Sequence, residues 1–468
     1  MEKRNIAVIA GTAMTALVAV GMSLLLLHSY DAAIMALFVV NPAALIFFEP
    51  FVGLIVYTLY FYVRPHEFVS ALHGGRLMLF VGAAAFASAM VRKTLGKGRF
   101  RLFHSPQDKL MWWFMAAIAL SHLSQLEFNT AFRSLFDFLN VFVFYFLITN
   151  LVDSERRLRI FTGALVLLTL VLAVQGIVQY YVGAGLAGQT VGDEGRIQSL
   201  GGFENPNALA MALLIGLALC YFDIIGTRNK LGKLFSLVAA VTICFAIYLT
   251  NSRGTTLAMG ALATILLIRK AGWRKGVPAS VVFFVLIIVF GPSRMSTISP
   301  TEPSAYGRIE AWKTGLDFLK AHPLFGIGAE AWGSRYHSLV AHNSFVHCAA
   351  ELGLFGVLPW VTLIFISLKN VRFVSKKEAG APTSRLNLEG DKVFFAGLAY
   401  LFTSMFISKT YSPLLYIIVG LASAAVNVYA NQSEQRFDLW ENKDLVYSAV
   451  MTIAGLLGIG LFVKIVGV

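Results

Sequence analysis

The sequence is short of charge. Only 13% of its 468 residues are Asp, Glu, Lys or Arg, where a soluble domain carries about 25%. Hydrophobic residues make up 57%, above the usual level of about 45–50%. So few charged side chains cannot cover a soluble globule of this size, and a disordered chain is excluded too. Cysteine is scarce: Cys220, Cys244 and Cys348 all lie in apolar runs. An odd count without a CxxC pair gives no disulfide framework, which leaves them as small packing residues. There is no GxxxxGK[ST] loop to cradle ATP and no Gly-x-Ser-x-Gly elbow for acyl hydrolysis. Missing Asp-x-Asp pairs and carboxylate clusters leave divalent-metal chemistry unsupported, so neither metal nor cofactor is expected.

What is present is apolar sequence in long runs. At roughly 20 residues per span it suffices for roughly 13 helices. The first run, Ile6 to Leu27, is long for a signal peptide and has no Ala-x-Ala site, so it reads as a span. Others follow at 32–48, 51–63, 76–91, 109–124, 134–151, 159–182, 207–225, 234–250, 254–268, 277–291, 343–367, 393–408, 412–429 and 445–466. The expected fold is all-α: a polytopic integral membrane protein of roughly 12–15 helices, in one membrane domain over residues 1–468. No internal repeat is visible, which disfavours inverted-repeat transporters.

The net charge of +13 has a simple origin in such a protein. Basic residues gather at 92–101, 156–159, 228–233, 269–275 and 369–385, each group two spans from the next. That alternation follows the positive-inside rule and puts the N-terminus in the cytoplasm. Nucleic acid, the usual partner of a basic chain, is not expected. The loops at 64–75, 125–133, 183–206, 251–253 and 292–342 then face outward.

Outward arginines need a reason, and three stand out. Arg196 lies in Asp193-Glu194-Gly195-Arg196, Arg253 in Asn251-Ser252-Arg253-Gly254, and Arg308 in Tyr306-Gly307-Arg308-Ile309-Glu310. A single one snorkels to headgroups; three on one face suggest a shared anion, which the guanidinium fork suits. Helices start on the same face, at Asn205-Pro206-Asn207, at Ser252 and at His342-Asn343-Ser344, with N-terminal dipoles that favour an anion. In the long loop 292–342, Ile309, Trp312, Leu316 and Leu319 recur at helical spacing, as in an amphipathic helix lying on the outer surface. His342 opens a span on this face, and a pKa near neutrality suits an imidazole there to proton abstraction from a hydroxyl. Glu351, deeper in that span, must be paired, and His347 is its i−4 partner.

These residues resemble a known family. His342-Asn343 followed by Gly353 and Gly356 looks like the signature of the O-antigen ligase and O-antigen polymerase superfamily. Gly307-Arg308-Ile309-Glu310-Ala311-Trp312 with His322-Pro323-Leu324-Phe325-Gly326-Ile327-Gly328 resembles the outer loop that precedes it. Ser252-Arg253-Gly254 and Asn205-Pro206-Asn207 resemble two further elements, and Arg64-Pro65-His66-Glu67 a less specific one. The main motifs span 196–360.

The resemblance implies a metal-independent glycosyltransferase in the bacterial inner membrane, with its site facing the periplasm. Such enzymes move a glycan from undecaprenyl pyrophosphate to a hydroxyl of lipid A core, of a glycan or of a protein. His342, Arg253 and Arg196 would be catalytic; Arg308, Asn343, Asn207 and Glu351 would bind substrate. Polymerase and protein O-glycosylation ligase remain alternatives within the family, and a polytopic transporter outside it. Convergence of Arg196, Arg253 and His342 would favour transfer chemistry.

Overall fold

The computed structural model describes residues 41–69, 72, 77–95, 100–227, 229–291, 303–336, 339–376, 384–432 and 440–466. The span expected at 6–27 lies outside them, as do Lys97, Arg99, Arg228 and Lys377 of the basic groups. Among the described residues the chain is helical, with strand pairing confined to two isolated bridges, Ala184 with Thr190 and Gly192 with Arg196. Nine described helices are long and apolar enough to cross a membrane. The protein is an all-α polytopic membrane protein.

The chain divides at Phe100 into two compact units. The first contains α1 (Asn41–Phe48), α2 (Pro50–Val63) and α3 (Leu77–Leu95). Pro50 starts α2, and Arg64, in the left-handed region at φ 50°, ends it and pairs with Glu67. Gly82 of α3 admits the Tyr57 ring so closely that a Cβ there would lie 2.8 Å from it.

The second unit holds α4 (Pro106–Leu123), α5 (Phe128–Leu151), α6 (Glu155–Val182), α7 (Pro206–Gly226), α8 (Lys230–Leu249) and α9 (Arg253–Phe290). It continues with α10 (Pro303–Ala321), α11 (Ala331–Tyr336), α12 (Ser344–Val374), α13 (Arg385–Ser404), α14 (Pro413–Gln432) and α15 (Asn442–Val466). The starts carry their own signals: Ser105 makes a capping box with Asp108, and Ser154, Asn205, Asn229 and Asn343 cap with side-chain oxygens. The runs expected at 254–268 and 277–291 are the two halves of α9, which breaks at Gly272.

Helix α12 is the centre, packed against α4, α10, α13, α14 and α15. Its apolar stretch is 78% buried, whereas only 11% of that of α15 is, which places α15 at the periphery. The amphipathic helix of the long loop is α10. It rests on α12 and α15, with Ile309 buried.

At one end of the bundle, ion pairs fasten the helices. Arg269 of α9 makes a bidentate pair with Asp391 of α13 at 2.7 and 2.8 Å. Lys392 of α13 reaches Asp223 of α7 and Glu389, both at 2.6 Å. α13 starts at Arg385, eight residues before the apolar run at 393: a Ser384–Asn387 capping box opens it, and Glu389, Asp391 and Lys392, which read as polar loop, find partners within the bundle.

Candidate active site at the opposite end of the bundle

At the other end lie the starts of α7, α9 and α12, the loop before α7, the turn after α8 and the segment joining α13 to α14. Arg196 sits in the loop before α7. Its Nε donates to the Thr250 carbonyl at 2.8 Å and its Nη2 to Asn207 Oδ1 at 2.9 Å. Ser252 Oγ donates to the same Asn207 oxygen at 2.8 Å. Asn207 is thereby the meeting point of the Arg196 loop, 11 residues before it, and the Ser252 turn, 45 residues after it. Asn205 accepts from the Asn207 N–H at 2.8 Å, which fixes the first turn of α7. Arg253 is the next residue after Ser252 and the first of α9.

A second group forms before α12. Asn343 Oδ1 accepts from the N–H groups of Phe345 at 2.9 Å and Val346 at 3.2 Å, so this side-chain oxygen is the helix cap. Trp312 of α10 donates from its indole N–H to the Ala341 carbonyl at 2.8 Å, which brings Arg308 beside the His342 loop. His342 is half-buried, with Nδ1 buried and unpartnered. Burial, with the nearby positive charge of Arg308 and the neighbouring His347, holds its pKa down at about 4. The imidazole is therefore neutral, as proton acceptance requires.

The segment between α13 and α14 joins the two groups, and sequence reasoning passed over it. Ser344 Oγ donates to the Ile407 carbonyl at 2.7 Å and accepts from the Lys409 N–H at 2.9 Å. Lys409 Nζ donates to the Gly202 carbonyl, just before α7, at 3.2 Å. Burial lowers the Lys409 pKa even with Glu204 opposing. Phe406 lies against Gly254, where a Cβ would come within 2.4 Å of its own Cβ, so the Ser252-Arg253-Gly254 turn needs glycine there. The signal was in the sequence: Lys409 falls between two apolar runs in a segment that the positive-inside pattern expects to face outward, where cations are few.

Glu351 is engaged by the protein itself. Its carboxylate accepts from the N–H groups of Glu330 at 2.9 Å and Trp332 at 3.1 Å, and from the Tyr411 hydroxyl at 2.9 Å. His347 Nε2 lies 3.3 Å away, the i−4 pairing expected, and His347 Nδ1 meets Thr410 Oγ1 at 3.1 Å. One residue pair on, α12 unwinds at Gly353, φ 61°. The freed backbone bonds to the Pro323–Gly328 turn: Leu354 N–H to Pro323 O at 2.8 Å, Phe355 N–H to Leu324 O at 3.0 Å, and Ile327 N–H to Ala350 O at 3.0 Å. The two separated glycine motifs are thus the two halves of one junction. Glu330, which the sequence did not single out, has its pKa raised by burial and by the charges of Glu351 and Asp137.

Strain concentrates in this region. Of the described non-glycine residues at positive φ, Glu194, Asn251, Glu330 and His342 all belong to these loops; such conformations cost about 1–3 kcal/mol each and cluster at functional sites. An apolar groove of about 570 Å³ begins beside Asn343 and Phe406 and runs between α12, α13 and α15 towards Lys369. Among the described residues, no three His, Cys, Asp or Glu side chains are grouped to hold a metal ion.

The fold and site define a membrane protein with polar, cation-bearing machinery at one end of its helices. The family model described as O-antigen ligase matches residues 238–361. That match bears out the resemblance to the O-antigen ligase and polymerase superfamily and supports an enzyme. It includes Arg253, Arg308, His342, Asn343 and Glu351, while Arg196 and Asn207 lie before it. No curated protein matches the chain.

Proposed function

We propose that the protein transfers a glycan from undecaprenyl pyrophosphate to a hydroxyl acceptor at the periplasmic face of the bacterial inner membrane, as a ligase and without a metal. The supporting observation is the convergence on Asn207 of Arg196 and the Ser252-Arg253 turn, tied through Lys409 and Ser344 to the His342 loop. In this reading His342 takes the proton of the acceptor hydroxyl. The oxygen attacks the anomeric carbon, and the bond to pyrophosphate breaks with its electron pair leaving on the phosphate. Arg196 and Arg253 neutralise that charge, and Arg308 orients the donor. A pyrophosphate leaves without protonation, so no acid partner is required. The apolar groove beginning at Asn343 suits the polyprenyl tail.

The acceptor, whether lipid A core, a growing glycan or a protein side chain, is open to experiment. Purified protein in bilayers is given lipid-linked glycan and each acceptor separately. A single added block identifies a ligase, a ladder a polymerase, and no transfer to any acceptor overturns the proposal. A transporter reading gains no support from Glu351, whose carboxylate is occupied by protein donors.

A further inference from the structure

The end of the bundle opposite His342 carries a second cavity, which meets the apolar groove only at Arg372 and which the transfer reading does not otherwise use. It has a volume of about 700 Å³ and lies among α7, α9, α12 and α13. Four cations line it, Arg269, Lys270, Arg372 and Lys376, with one carboxylate, Asp391. Asp391 is bound at both oxygens by Arg269. Arg372 has the Ser375 hydroxyl at 3.1 Å as a partner, which carries no charge. The guanidinium of Arg269 stands 5.8 Å from the Phe395 ring centre and that of Arg372 5.5 Å from the Phe394 ring centre, which fixes both on neighbouring residues of one helix. Like charges gathered in a cleft repel more strongly than in open water, and one carboxylate against four cations leaves the cleft short of negative charge.

The remaining wall is apolar and includes Ile225, Leu266 and Leu388, with Ile225 exposed at the bundle surface. Arg253, which starts α9, is 16 residues from Arg269, near the end of the first half of α9, about 24 Å along the helix. The cavity is therefore at the opposite membrane boundary, at headgroup depth. We propose that it binds an anionic phospholipid of the leaflet facing the basic loops. Its phosphate lies between Arg269 and Arg372, with Lys270 and Lys376 at the rim and the acyl chains along Ile225 and Leu266. Simple snorkelling would spread these side chains apart towards separate headgroups. A free phosphate would need the cations but not the apolar wall.

The test uses the full chain, purified and delipidated in detergent. Dioleoylphosphatidylglycerol, dioleoylphosphatidylcholine and inorganic phosphate are titrated separately, with bound lipid read by native mass spectrometry and Tm by thermal unfolding. The expected result is retention of phosphatidylglycerol with a rise in Tm, weak retention of phosphatidylcholine, and no shift with phosphate. The triple variant Lys270→Gln, Arg372→Gln, Lys376→Gln should bind phosphatidylglycerol about a hundredfold more weakly, at about 1 kcal/mol per cation. The double variant Lys270→Gln, Lys376→Gln changes only exposed rim residues and should lose about thirtyfold, which separates lost binding from failed folding. Lys233→Gln, in the first turn of α8 and outside the cavity lining, should bind as the native chain does. Equal retention by the triple variant, equal retention of phosphatidylcholine, or a Tm rise with inorganic phosphate equal to that with phosphatidylglycerol would overturn the proposal.

Discussion

His342 combines three properties that rarely coincide at a surface histidine: a left-handed backbone, an unpartnered ring nitrogen and a lowered pKa. If it is the base, His342→Ala abolishes transfer. His342→Asn is the sharper variant, because asparagine tolerates the left-handed conformation. It should insert and unfold as the native protein does yet show no transfer; near-normal transfer would remove His342 from the chemistry. The pH profile follows from the direction of the shift. A base works unprotonated, and with a pKa near 4 it stays so well below the ordinary histidine range. The kcat/KM for transfer should therefore hold from about pH 7 to about pH 5 and fall only below. An acid limb centred near pH 6.5 would show that the free enzyme's base is an unperturbed histidine. For Arg253→Lys, most activity should be lost with Tm unchanged, since an ammonium cannot make the two parallel bonds of a guanidinium to phosphate. Full activity would mean that the charge alone matters.

Between α10 and α12, the Pro323–Gly328 turn and the unwound turn at Gly353 hold each other through backbone hydrogen bonds. A Cβ at Gly353 would lie 2.4 Å from the Leu324 carbonyl, and φ is positive there as well. Gly353→Ala should therefore lower stability by about 1–3 kcal/mol, read as a fall in Tm. Glu351→Gln keeps the shape but turns one acceptor into a donor facing donors, a cost of about 1–3 kcal/mol. It should weaken the fold more than it slows transfer. Loss of turnover at unchanged Tm would instead put Glu351 in the chemistry.

Elements of this kind were only half legible in the sequence. The apolar lengths and the caps at Asn205 and Asn343 mark helix starts because those signals are local. The break at Gly353 and its partner turn at Pro323–Gly328 are 25 to 30 residues apart and become one feature only through packing. The early start of α13 was hidden because Glu389, Asp391 and Lys392 read as loop until their partners on other helices are known.

Across the whole molecule, the scarcity of charge announces the membrane, and the distribution of that charge separates two ends. One end gathers motif residues whose proximity no single motif reveals, since Asn207 meets Ser252 from 45 residues away and Arg196 meets Thr250 from 54. Lys409 went unnoticed because it stands alone between two apolar runs, although it ties the loop before α7 to the start of α12. The other end gathers ion pairs that fasten helices and the cation-lined cavity. The most direct test of the central claim is transfer by the purified protein in bilayers, with lipid-linked glycan, a hydroxyl acceptor and a metal chelator, for the native chain and His342→Asn side by side. The account predicts glycan-extended acceptor with the native chain, chelator notwithstanding, and none with the variant. Equal product from both, or product from neither under conditions where the native protein is folded, would contradict it.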